Sequence, residues 1–177
     1  WGRILAGEFR NPGKYSLRTL EFIRNLSQGE AHAIEELGPF VFDGFGVIYA
    51  NHTINLESLG LDTRKLIALQ EIGILLRAEP YPYSIWSSEE ARFENVLTLG
   101  GRAIRFTSEY QAKKLQFQAI CLTKLGKEIL ALGRFEANNE YFTQVAKAIK
   151  NDQFSVSTGT FSPVADNRIA LFDLTEI

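Results

Sequence analysis

Apolar and polar positions along the chain change their period midway. Leu17, Leu20, Ile23 and Leu26 recur at helical spacing, which predicts an amphipathic helix begun by Ser16 as N-cap. Ser27 followed by Glu30 has the spacing of a capping box and predicts a second helix, ended by Gly38-Pro39. Upstream, Trp1, Ile4 and Leu5 share one face of a helix end that stops at Pro12-Gly13. "GVIYAN" (46–51) is short and β-rich and predicts a strand. Asn55 can cap a short helix over 56–59. Asp62 can cap a longer one over 63–72, with Leu66, Leu69 and Ile72 inward and Gly73 as its stop. "ILLRA" (74–78) then predicts a strand.

In the second half the period falls to two. "NVLTLGGRAIRFTS" predicts two strands joined at Gly100-Gly101, a strong hairpin signal. "KLQFQAICLT" sets Leu115, Phe117, Ala119 and Cys121 on one face, the pattern of a half-buried strand. Thr123 caps a helix that runs to Gly133, and "NEYFTQVAKAIKN" predicts one more. Two strands, "FSVST" and "RIALFDL", follow, separated by a loop that holds Gly159 and Pro163. Helices crowd the first half and strands the second, which predicts an α+β fold.

The order helix, strand, short helix, turn, longer helix, strand, hairpin, strand resembles a winged-helix domain. "LGLDTRKLIALQEIGIL" resembles its turn, second helix and first wing strand. "AICLTKLGKEIL" resembles the last wing strand entering an "LTxxGxxL" junction. The expected architecture is a winged-helix-like core with an extended β wing over 77–121. Extra N-terminal helices and a C-terminal helix plus two strands complete it. Three parts follow: 1–27 as helices packing on the core, 28–133 as the winged-helix-like domain, and 134–177 as helix and strand pair.

Three stretches carry a wider resemblance: "WGRILAGEFRNPGKYSLRTLEFIRNLS", "SLGLDTRKLIALQEIGILL" and "LTKLGKEIL". With these the chain resembles a bacterial domain-of-unknown-function family whose pattern reads WxRILAGE…PGxxSLRTLE…LTKLGKEL. The resemblance implies a bacterial, cytoplasmic protein and transfers no catalytic residue.

Composition narrows the function. With 177 residues, 45% hydrophobic and 23% charged, the chain suits one soluble globular domain with an appendage. A net charge of −2 and a pI near 5.8 give no bulk pull toward nucleic acid, whose dedicated binding domains are basic. Two local stretches are basic: 1–24, and 102–127 with Arg102, Arg105, Lys113, Lys114, Lys124 and Lys127. The single Cys121 allows no disulfide within the chain and fits a reducing compartment. No apolar run is long enough to span a membrane, so no membrane contact is expected from these residues. A start at Trp1 and the absence of Met predict a piece of a longer protein.

The sequence offers little chemistry. Only His32, His52 and Cys121 could serve as soft ligands, and no spacing among them suits a metal, so no metal and no cofactor are expected. His32 reads as a surface partner of Glu35 and Glu36, His52 as a turn residue, Cys121 as a core residue and Glu89-Glu90 as a solvated pair. No catalytic residue is assigned. Two binding readings remain. The first is a non-catalytic protein-interaction or oligomerisation module, which needs a protein partner or a second copy. The alternative is a winged-helix nucleic-acid-binding module, with Arg64 and Lys65 at the start of the second helix and Lys113 and Lys114 on the wing.

Overall fold

The computed structural model describes residues 16–49, 54–86, 93–108, 114–164 and 169–177. The expected helix at Trp1–Phe9 lies outside the described residues, as do His52, Glu89-Glu90 and Lys113.

Helix α1 (Leu17–Asn25) starts where the Ser16 hydroxyl accepts the Thr19 amide. Its inward stripe differs from the one the leucines predict. Leu17 is 81% exposed, whereas Thr19 is fully buried and Phe22, Ile23 and Leu26 pack against the core. The reason is polar. Thr19 binds a carboxylate on another helix, and residues 19, 22, 23 and 26 share a face with it. Helix α2 (Gln28–Leu37) opens with the capping box of Ser27 and Glu30 and passes into a 3₁₀ turn at Gly38–Phe40.

Strand β1 (Gly46–Ile48) is wholly buried. Residues 56–60 form turns rather than the expected short helix. Asn55 Oδ1 still accepts the Ser58 amide at 3.2 Å, and Gly60 takes a positive φ of 96°. Asp62 caps α3 (Thr63–Glu71), as its sequence predicts, with Leu66 and Leu69 buried. The expected strand at 74–78 does not form. Leu75 makes a single antiparallel bridge to Leu122, flanked by the Leu76 amide on the Cys121 carbonyl and the Thr123 amide on the Ile74 carbonyl, and the pairing goes no further. Extended pairing begins only at β2 (Tyr81–Trp86).

Strands β3 (Phe93–Leu99) and β4 (Arg102–Ser108) form the predicted hairpin, and Gly100 and Gly101 both have positive φ, as its two-residue turn requires. Strand β5 (Lys114–Cys121) follows, then α4 (Lys124–Leu130), α5 (Asn139–Ile149), β6 (Ser155–Pro163) and β7 (Ile169–Glu176). Gly159 and Pro163 lie inside β6 rather than in a loop. Gly159 marks a register shift between Thr158 and Thr160, where a Cβ would stand 2.4 Å from the Phe172 carbonyl oxygen.

The strands make two antiparallel sheets, β1-β5-β2 and β3-β4-β6-β7. The extra strands within 77–121 are therefore not a continuation of the β2–β5 pair. They leave it and join the C-terminal strands, so residues from either side of position 133 share one sheet. The fold is mixed α+β, and one apolar cluster joins both sheets. Aromatic rings fill it. Phe42 lies against Phe45, Tyr141 and Phe142, and Phe93, Phe106 and Phe154 meet under the second sheet.

Candidate functional site

Helix α3 turns Leu66 and Leu69 inward, which leaves Arg64, Ile67, Ala68, Gln70 and Glu71 exposed. Ile67 is 46% exposed, so the outer face is partly apolar. The two basic residues expected to meet nucleic acid differ sharply. Lys65 Nζ sits 2.8 Å from Glu36 Oε1 and 3.0 Å from the Gly60 carbonyl, so its charge is engaged within the fold. Arg64 is exposed and makes no ion pair among the described residues.

Lys114, at the start of β5, places its ammonium 5.5 Å from the ring centre of Trp86 at the end of β2. Trp86 itself is 65% exposed. The remaining basic residues of 102–127 are mostly engaged. Arg105 Nε binds Glu94 Oε1 across the hairpin at 2.7 Å, and that hydrogen bond raises the Arg105 pKa. Arg102 donates to Asn139 Oδ1 at 2.7 Å and lies 4.0 Å from the centre of the Phe142 ring. Lys124 approaches Glu128 at 4.0 Å. Among the described basic residues of this stretch, Arg102, Arg105 and Lys124 are engaged within the fold, whereas Lys127 is not.

His32 lies 3.9 Å from Glu35 and 3.8 Å from Glu36, the surface pairing its helical spacing predicts. Cys121 is buried at the end of β5. Among the described residues no group of His, Cys, Asp and Glu is arranged to hold a metal. No helix among them is long and apolar enough to cross a membrane.

The three stretches that carry the family resemblance meet on α4. Glu128 Oε2 accepts hydrogen bonds from the Ser16 amide (3.1 Å), the Ser16 hydroxyl (3.0 Å) and the Thr19 hydroxyl (2.5 Å). The Thr19 hydroxyl dominates in holding the Glu128 carboxyl below its ordinary value, helped by the Ser16 amide. On the other side, the Thr123 hydroxyl accepts the Gly126 amide and donates to the Gly73 carbonyl at 2.5 Å. Gly126 passes so close that a Cβ there would stand 2.2 Å from the Ile74 carbonyl oxygen. Ser16-x-x-Thr19, Gly73-Ile74 and Thr123-x-x-Gly126-x-Glu128 are thus one structural joint. A family model described as a protein of unknown function, DUF2806, matches residues 1–146. The chain belongs to the DUF2806 family. In this DUF2806 chain the match takes in the whole joint and stops within α5, so β6 and β7 lie outside it. No curated protein and no solved structure matches the chain.

One surface escaped the sequence reading. Among the described residues, three of the eight large hydrophobic side chains that stand exposed, Ile169, Phe172 and Leu174, lie on β7, and a fourth, Val164, follows the end of β6. Among the described residues β7 has a neighbour, β6, on one side only. Its signal was present in "RIALFDL", where apolar residues occupy both faces instead of alternating with polar ones.

Proposed function

We propose that the chain is a non-catalytic protein-interaction module that self-associates, with β7 of one copy pairing antiparallel to β7 of a second. The observation that carries this reading is the concentration of exposed apolar side chains on an edge strand. Such an edge offers a row of free backbone donors and acceptors, and proteins that keep it unpaired usually guard it with Lys or Pro. Strand β7 contains neither, and its charges are confined to Asp173 and Glu176 in its second half, beyond the register shift. A strand paired with its own copy about a twofold axis presents the same chemistry from both sides. The test is light scattering on the native chain and on Phe172→Lys/Leu174→Lys over a range of concentrations. A native dimer that becomes monomeric in the variant is expected. A native chain that stays monomeric at every concentration sinks the self-association reading.

The alternative reading is a winged-helix nucleic-acid module. It draws support from the small antiparallel sheet β1-β5-β2, whose β1 precedes α3 and whose β2 and β5 follow it, from the free Arg64 and from the exposed Trp86–Lys114 pair. The engaged Lys65 and the apolar Ile67 weigh against it. Titrating duplex DNA at several salt concentrations with the native chain and Arg64→Ala/Lys114→Ala decides between them, because each lost phosphate contact lowers the salt slope by about 1. A bacterial, cytoplasmic setting, implied by the resemblance and compatible with a lone buried cysteine, belongs to the same proposal.

A further inference from the structure

A cleft of 840 Å³ opens between α4 with the turn that follows it, the loop before β1 and the β3–β4 turn. That volume lies within the range of small-molecule sites. Its walls include apolar Leu122 and Leu130, and three charged residues line it, Asp43, Lys127 and Arg134. Both cations are exposed, and neither makes an ion pair or hydrogen bond among the described residues, unlike Arg102, Arg105 and Lys65. Two unspent cations lining one cleft of an acidic chain leave local positive charge with no internal use.

The facing walls are bare backbone at two points. Gly44 and Gly101 have φ of 92° and 84°, and nothing lies within 4 Å of where a Cβ would be at either. A ligand could therefore approach the main chain there. Asp43 is anchored from both ends: its amide donates to the Thr98 carbonyl at 2.8 Å, and its carboxylate accepts the Thr98 hydroxyl at 2.8 Å. The surrounding loop desolvates this carboxyl and raises its pKa, although its side chain reaches solvent. Asp43 is thus held ready to accept a hydrogen bond from a hydroxyl or amino group.

We propose that this cleft binds a small phosphate monoester, with the phosphate on Lys127 and Arg134 and a hydroxyl- or amino-bearing body toward Asp43. Two cations suit the double charge of a phosphate monoester, and Arg offers it a two-pronged set of donors. The site is separate from β7 and does not depend on self-association.

The test uses adenosine 5′-monophosphate, inorganic phosphate and adenosine as probes, followed by calorimetry and by amide shifts of Gly44 and Gly101. The monophosphate should bind saturably, adenosine far more weakly, and Lys127→Ala/Arg134→Ala should weaken binding on the order of tenfold or more. Lys147→Ala, an exposed cation outside the cleft, serves as control and should change nothing. Failure of the monophosphate to saturate at millimolar concentration overturns the proposal. So does equal binding of adenosine, or an equal loss in Lys147→Ala. Both variants alter only exposed side chains, and their melting temperatures verify that the fold is intact.

Discussion

The Tyr141 phenol stands in for a missing strand beside Ile48. It accepts the Ile48 amide at 2.7 Å and donates to the Ile48 carbonyl at 2.9 Å. Tyr49 directs its amide at Gln118 of β5, so its neighbour Ile48 points both polar groups the other way, off the edge of the first sheet. Burial in the core pushes the Tyr141 phenol well above its ordinary pKa, so it stays a donor. Tyr141→Phe keeps the ring but leaves a buried amide and carbonyl without partners. A loss of about 2–4 kcal/mol is expected in chemical denaturation. A change of a few tenths would mean that water takes over the role.

Glu128 ties α1 to α4, and its folded carboxyl is held below the ordinary value of 4.5. As pH falls, the unfolded chain therefore takes up a proton first. The stabilisation is present above the unfolded value and is lost as pH drops through the lower, folded one. Glu128→Gln should cost about 1–3 kcal/mol at neutral pH. The gap between variant and native chain should shrink in the acidic range, when both are unfolded by denaturant at a series of pH values. A constant gap would show that shape, not charge, matters at this position.

At Gly126 the limit is space. A methyl group would press on the Ile74 carbonyl, which also accepts the Thr123 amide at 3.0 Å. Helix propensity alone would favour Ala over Gly in a helix interior, by up to about 1 kcal/mol. Gly126→Ala is nevertheless expected to destabilise by about 1–3 kcal/mol, because the backbone of the neighbouring turn cannot retreat as a side chain can. Thermal unfolding reads the sign directly, and a stabilised variant would refute the close approach.

Cys121 should react slowly with a thiol reagent in the native state. It is 5% exposed, and its hydrogen bond to the Tyr81 phenol pushes that group up to about 12. Labelling as fast as in denaturant would mean that the end of β5 opens readily.

Local chemistry was the legible part of the fold. Ser16, Ser27, Asp62 and Thr123 all cap helices where their spacing places them, and Gly100-Gly101 turns the hairpin. These features depend on neighbours within a few residues. What the sequence concealed depends on distant partners. The inward stripe of α1 follows Thr19 because Glu128 lies more than a hundred residues away. Segment 74–78 has the composition of a strand but meets only the end of β5. Among the residues proposed for nucleic-acid contact, Lys65 and Arg64 are adjacent and alike in sequence, but Lys65 is held by Glu36, twenty-nine residues away. Lys114 reached the solvent as expected, but with Trp86 as its companion.

The second sheet also bears on where this fold can be cut. Strand β4 is flanked by β3 on one side and by β6 on the other, and β6 begins after the family match has ended. A chain shortened to residues 1–146 would keep β4 but strip its partner, and would uncover Phe106 and Phe93 by removing Phe154 and Val156. Its new edge would expose apolar residues that are buried in the longer chain, the kind of surface that recruits other chains into aggregates. The second sheet is therefore completed by residues that follow the match, and a chain cut at residue 146 is expected to be less soluble than the longer one.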